Sequence, residues 1–258
     1  MEVALTKDDN VITKRYDLTE FTADPKSTTQ AETLRRIDED GIVIFPNFIN
    51  KMELDGLNHE FEQLVKSKSR GISPFKLEKG EGVGINRKKF RTKDFPFTAK
   101  FFDQEGMHQL KDEYVHPTVD LNSKIYVVRD VPGTVTYAVE LHFDVQKCLK
   151  FFIYLNDVSK ENGAFEFVGR SHKWTEELRK SEQAKDITFE NRELSRELPY
   201  KEEHVIPLEA KAGTLFIFDT DIFHRTGKTT QGERKIMRGH SYFDQAKSKG
   251  SLFKKTIR

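Results

Sequence analysis

The sequence predicts a mainly β protein with flanking helices, its second half folded into an antiparallel sandwich or barrel. Two observations carry that prediction. Seven β-prone runs follow one another closely from residue 124 onwards, broken only by one highly charged stretch at 174–203. Helical periodicity is strongest in two segments near the N-terminus. A third observation agrees: phenylalanine is abundant, with 21 residues against four methionines and one cysteine, which suits packed sheets.

In chain order, residues 28–39 read as a helix, with Leu34 and Ile37 on one side and Gly41 as the stop. Ile42–Phe45 is a short β-prone run ended by Pro46. Asn50 can cap a second helix, with Glu53 at the capping-box position and Leu54, Leu57, Phe61 and Leu64 at helical spacing behind it. From about 70 to 120 glycine, charge and aromatics mix, as in GEGVGINRKKFRTKDFPF, and the segment reads as surface loops. Strands are expected at 124–129, 134–144, 149–156, 164–168, 204–208, 213–219 and 234–243. Turns such as Val131-Pro132-Gly133 and Glu161-Asn162-Gly163 separate them. Residues 174–203 have helical propensity and read as a charged excursion from the barrel. The expected organisation is one domain over 1–258, with N-terminal helices and supporting strands in 1–120 and the barrel core in 121–258.

Acidic and basic residues nearly balance, at a net charge of +1, which argues against a general nucleic-acid surface. A single cysteine excludes an internal disulfide framework and a cysteine-rich zinc site. No apolar run is long enough to span a membrane, and no signal-like start is present. A cytoplasmic enzyme or binding protein is expected; composition leaves its oligomeric state open.

The chemistry concentrates in a few histidines and carboxylates. Read as a strand, 134–144 puts Val135, Tyr137, Val139, Leu141 and Phe143 on one face and Thr134, Thr136, Ala138, Glu140, His142 and Asp144 on the other. The second face is polar and ends in His-x-Asp, which places two ligand types side by side. A hydrogen-bonded surface pair is the alternative. A third ligand, His224, follows the apolar run and turn of AGTLFIFDTDIFHRTG. Two histidines and one carboxylate make a facial set suited to non-haem iron(II). Zinc would more often take three protein ligands and one water, so a zinc-dependent hydrolase or isomerase stays open, as does a non-catalytic binding barrel. Ten residues beyond His224, Arg234 opens a strand on which Arg234, Ile236, Arg238, His240 and Tyr242 share a face. A cation aimed into a cavity needs a partner. A ligand carboxylate would serve, and so would a protein acid such as Asp219 or Glu140. Arg238 is the reserve candidate for the same role.

Four stretches, in this order, resemble the phytanoyl-CoA dioxygenase-like branch of the iron(II)- and 2-oxoglutarate-dependent oxygenases: GIVIFPNFINKMELDGL, ELHFD, NGAFEFVGRSHKW and GTLFIFDTDIFHRTGKTTQGERK. The third departs from the usual Pro-Gly-Ser-His, reading Gly169-Arg170-Ser171-His172 after Val168. The resemblance implies a double-stranded β-helix core of the jelly-roll or cupin-like kind. It implies iron(II) held by His142, Asp144 and His224, with 2-oxoglutarate and dioxygen as cosubstrates. Arg234 would pair with the distal carboxylate of 2-oxoglutarate, Thr226 would donate to the same group, and Tyr126 is a further cosubstrate candidate. The implied reaction hydroxylates, or otherwise oxidises, an unactivated C–H bond of a small molecule and yields succinate and carbon dioxide. Because Asp144 occupies the position that halogenating relatives leave open, hydroxylation-type chemistry is expected. An anionic substrate is among the options; a nucleic-acid or membrane partner is not expected.

Overall fold

The computed structural model describes residues 15–75, 77–134, 138–180 and 200–243. Its centre is a pair of antiparallel sheets. The larger is built from β1 (Ile42–Phe45), β2 (Ile72–Pro74), β3 (Gly80–Asn86), β4 (Lys124–Asp130), β5 (Cys148–Tyr154), β8 (Leu215–Asp219) and β10 (Arg234–Tyr242). They lie in the order β1-β8-β5-β10-β4-β3-β2. The smaller holds β6 (Phe165–Val168), β7 (Val205–Leu208) and β9 (His224–Thr226), in the order β7-β6-β9.

Alternation along the strands sorts the side chains into two layers. On β5, Leu149, Phe151 and Ile153 point outward, and Phe152 and Tyr154 point between the sheets. The inner layer is aromatic: Phe152, Phe165, Phe216 and Phe218 meet with ring centroids 4.8–6.1 Å apart. Burying each ring contributes about 2–3 kcal/mol.

The outer layer is covered by α1 (Gln30–Asp40), α2 (Lys51–Leu64), α3 (Pro96–Phe101) and α4 (Glu105–Tyr114). Thr29 caps α1, its hydroxyl accepting from the Glu32 amide. Gly41 ends that helix at φ 79°, and a Cβ there would sit 2.6 Å from His172 Nδ1. The position therefore needs glycine for both conformation and space. α2 carries the full Asn50–Glu53 capping box and buries Leu57, Phe61 and Leu64. No helix among the described residues is long and apolar enough to cross a membrane.

Two expectations are corrected. The 70–120 region is not a run of surface loops: it supplies β2, β3, α3 and α4, and β3 pairs with β4 along its whole length. Glycine hid the strand, because Gly80, Gly82 and Gly84 interrupt the apolar alternation that Val83 and Ile85 complete. Gly82 is packing space, since a Cβ there would lie 2.4 Å from the Phe75 ring. Nor do the described residues of 134–144 form a strand. Residues 135–137 lie outside the described residues, 138–140 form turns and bends, and Val139 is exposed rather than packed. The described part of this segment meets the three-residue β9 only through the Thr226 amide to the Ala138 carbonyl and one bridge between His142 and His224. Of the 174–203 excursion, the structure describes α5 (His172–Lys180) and the return from Tyr200; 181–199 lie outside the described residues.

Candidate metal centre

One isolated antiparallel bridge, rather than strand alternation, brings the histidines together. His142 donates its amide to the His224 carbonyl at 3.0 Å and accepts from the His224 amide at 2.8 Å. Two residues on, the Asp144 amide donates to Thr220 O at 3.0 Å, which fixes the carboxylate beside the pair. Candidate ligand atoms of His142, Asp144 and His224 lie within 4.8 Å of one another. Asp144 Oδ1 faces both Nε2 atoms, at 3.8 Å from His142 and 3.7 Å from His224.

The donor chemistry fits a divalent metal. His142 Nδ1–H donates to the Glu140 carbonyl at 2.6 Å, and His224 Nδ1–H donates to the Ile222 carbonyl at 2.8 Å. Each bond pins the ring and leaves Nε2 as the lone-pair donor. Burial, followed by His142 and Lys150, holds His224 well below the ordinary histidine value, so the ring is neutral at neutral pH. Burial alone would raise Asp144, but Lys150, His224 and His142 outweigh it and hold the carboxyl well below the usual carboxylate range. Two neutral imidazoles and a carboxylate are what iron(II) takes.

Lys150 was not anticipated. It points inward from β5, buried, with Nζ 2.6 Å from Asp144 Oδ2. Its signal was available: it is the single cation in the otherwise apolar run CLKFFIY. Arg179, from α5, was missed as well. Its guanidinium donates to the Val145 carbonyl at 3.1 Å, to the Asp144 carbonyl and to the Asp221 carboxylate, so it ties the loops of both metal motifs together.

A cleft opens between the sheets beside this centre. Phe165 packs on the His224 ring at 5.6 Å and also lines the cleft, with Phe152 and Ile236 beside it. Its polar groups are Thr226, Arg234, Arg238 and Asp130. Arg234 is buried and already has a protein partner, though neither of the acids expected. Its Nε and Nη2 lie 3.1 and 2.6 Å from Asp130 Oδ2, and Nη1 donates to the Gly163 carbonyl at 2.5 Å. Strand register explains the choice, since Arg234 and Asp130 sit opposite each other on β10 and β4. Three of the five guanidinium N–H groups are engaged, which leaves two for a ligand. Tyr126 stands behind Arg238, its ring 5.1 Å from the guanidinium.

The remaining candidates have structural partners. His172 is buried and donates from Nε2 to the Asp38 carbonyl at 2.8 Å. Trp174 packs on Phe223 and Tyr200. Cys148 is buried, and burial raises its thiol well above the ordinary value. Three of the four cations in the basic run 87–91 are paired: Arg87 with Asp103, Lys88 with Asp120 and Arg91 with Asp94.

Fold and site define a cupin-like double-stranded β-helix with a cluster of two histidines and one carboxylate. The chain belongs to the phytanoyl-CoA dioxygenase (PhyH) family, whose model matches residues 37–236. It is a 2-oxoglutarate-dependent dioxygenase, and iron(II), 2-oxoglutarate and dioxygen are its cofactor and cosubstrates. Among solved structures it is similar to HygX from Streptomyces hygroscopicus with nickel, 2-oxoglutarate and hygromycin B bound. That match has 16% identity over 82% of this chain and 86% of the other, at a TM-score of 0.56. It is also similar to AviO1 from Streptomyces viridochromogenes Tue57, with 18% identity over 84% and 96% of the chains and a TM-score of 0.54. The non-heme alpha ketoglutarate dependent carbocyclase SnoK from nogalamycin biosynthesis matches with 14% identity over 86% of each chain, at 0.51. No curated protein matches the chain in sequence.

Proposed function

We propose that His142, Asp144 and His224 hold the iron(II), that Arg234 and Thr226 receive the distal carboxylate of 2-oxoglutarate, and that the enzyme hydroxylates a C–H bond of a small molecule. The observation that carries this reading is the convergence of two Nδ1-tethered histidines and Asp144 Oδ1, with Phe165 linking the His224 ring to a cleft that Thr226 and Arg234 line.

Each residue has a definable task. The backbone carbonyls of Glu140 and Ile222 accept from the Nδ1–H groups, which sets the tautomer whose Nε2 lone pair is aimed at the metal position. Lys150 occupies the outer oxygen of Asp144, which leaves Oδ1 as a single ligand atom and favours open coordination positions. Asp130 and Gly163 hold the Arg234 guanidinium in one plane, so its two remaining N–H groups are oriented before a carboxylate arrives. Phe152, Phe165 and Ile236 exclude water from the length of the cleft. When bound, iron(II) with 2-oxoglutarate and dioxygen supplies the oxidising power, yielding succinate and carbon dioxide. Tyr126 stands behind Arg238. HygX, whose structure holds the small molecule hygromycin B, supports a small-molecule substrate here. The single cysteine, outside any disulfide framework, supports a cytoplasmic location.

Anaerobic reconstitution with iron(II) and 2-oxoglutarate tests the assignment. A weak charge-transfer band in the visible is expected, and Asp144→Ala should abolish it. Stoichiometric zinc binding with no such band would overturn the reading.

A further inference from the structure

The inward face of β10 carries more positive charge than the proposed cosubstrate can answer. Arg234 is matched by Asp130, and Lys150, on β5, by Asp144. Arg238 has no acidic partner among the described residues, and its buried Nε has no hydrogen-bond partner. Two aromatic rings hold it in place: Tyr126, 5.1 Å from the guanidinium, and Phe152, 5.6 Å away. They fix its position without neutralising it.

Register places Arg238 on β10 between Arg234 and the level of Lys150. Arg234 lies four residues away on one side. In the other direction His240 sits opposite Lys150, at the level of the metal cluster. A dicarboxylate reaching from the metal to Arg234 and Thr226 uses both of its carboxylates at those two positions. It leaves the intervening arginine with nothing to bind. His240 adds a second unanswered group. It is buried, Nδ1 meets the Tyr242 hydroxyl at 3.2 Å, and Nε2 has no partner. Burial, together with Lys150 and Arg238, keeps its ring neutral, so Nε2 can share a hydrogen bond without adding charge.

We infer that Arg238, with His240 beside it and the Tyr126 and Phe152 rings around it, is a subsite for an oxyanion of the prime substrate, a carboxylate or a phosphate. The subsite would select acidic substrates. It rests on the assignment of the metal and cosubstrate positions made above.

The test uses the full chain loaded with nickel(II) and 2-oxoglutarate, titrated at constant ionic strength with acetate, inorganic phosphate or chloride while the thermal midpoint is followed. One of the two oxyanions should raise the midpoint saturably where chloride does not; acetate marks a carboxylate substrate, phosphate a phosphorylated one. Arg238→Gln should weaken that response about tenfold, as expected for a lost charge-assisted hydrogen bond. Arg238→Lys should retain part of it, and both variants should bind 2-oxoglutarate as the parent does. If the loaded parent ignores both anions, or Arg238→Gln leaves the response intact, the subsite is refuted. A loss of 2-oxoglutarate affinity in Arg238→Gln matching that of an Arg234 variant would instead make Arg238 a cosubstrate anchor. A parent that forms no nickel and 2-oxoglutarate complex would overturn the site reading itself, and the subsite with it.

Discussion

Lys150 Nζ stands 2.6 Å from Asp144 Oδ2, on the side of the carboxylate opposite the two histidines. With a metal held on Oδ1 as proposed, lysine and metal would neutralise the same group from different oxygens. Replacing Lys150 by Met should destabilise the metal-free protein by about 3 kcal/mol, because a largely buried carboxylate loses its partner. Nickel(II) should then restore more stability to Lys150→Met than it adds to the parent. Urea unfolding with EDTA and with nickel measures both quantities; equal metal increments in the two proteins would refute this coupling.

Thr226 and Arg234 are predicted to act on cosubstrate affinity. Thr226→Val keeps the shape and removes one hydroxyl, so 2-oxoglutarate should bind about tenfold more weakly. Arg234→Lys removes the planar fork and should cost more, since a point charge cannot face Asp130 and a ligand carboxylate in one plane. Anaerobic titration of the visible band reads both constants, and the maximum band intensity should be unchanged.

His172 predicts a pH dependence. Burial holds its folded-state value below the ordinary one, despite the Asp38 carbonyl. Above about pH 6.5, the unfolded-state value, the ring is neutral in both states and the full stability is present. Below that pH the unfolded chain takes up a proton that the folded ring refuses, so stability falls as pH falls. The slope approaches about 1.4 kcal/mol per pH unit for one such residue. His172→Gln should flatten this loss between neutral pH and the low fives without abolishing it, because His224 and His240 are lowered too. Urea midpoints at two pH values decide the matter.

Asn50→Ala removes one half of the capping box at the start of α2 and should cost about 1 kcal/mol. Glu53→Gln should cost less, because an amide oxygen can still accept from the Asn50 backbone. Calorimetry of the two variants gives the ranking.

What could be read in advance was local. The Asn50 cap, the Gly41 stop and the apolar spacing of α2 each depend on residues within a few positions of one another, so α1, β1 and α2 emerged nearly at their true limits. The strands of the core followed from their apolar runs. The metal motif was legible as residue types, yet the geometry that unites it is different: one bridge between His142 and His224 replaces the strand drawn through 134–144. Partners fixed by strand register stayed hidden. Nothing local near Arg234 points to Asp130, 104 positions away and opposite it on β4. Glycine concealed β3 for a separate reason, since its role there is to make room for Phe75.

Cys148, sealed at the start of β5 and protonated, has a practical consequence. Towards a maleimide the folded protein should behave as though it had no thiol. A cysteine introduced on the exposed face of α5 would then be the one position labelled, and a dye or spin probe there would report on the helix that Arg179 ties to both metal loops.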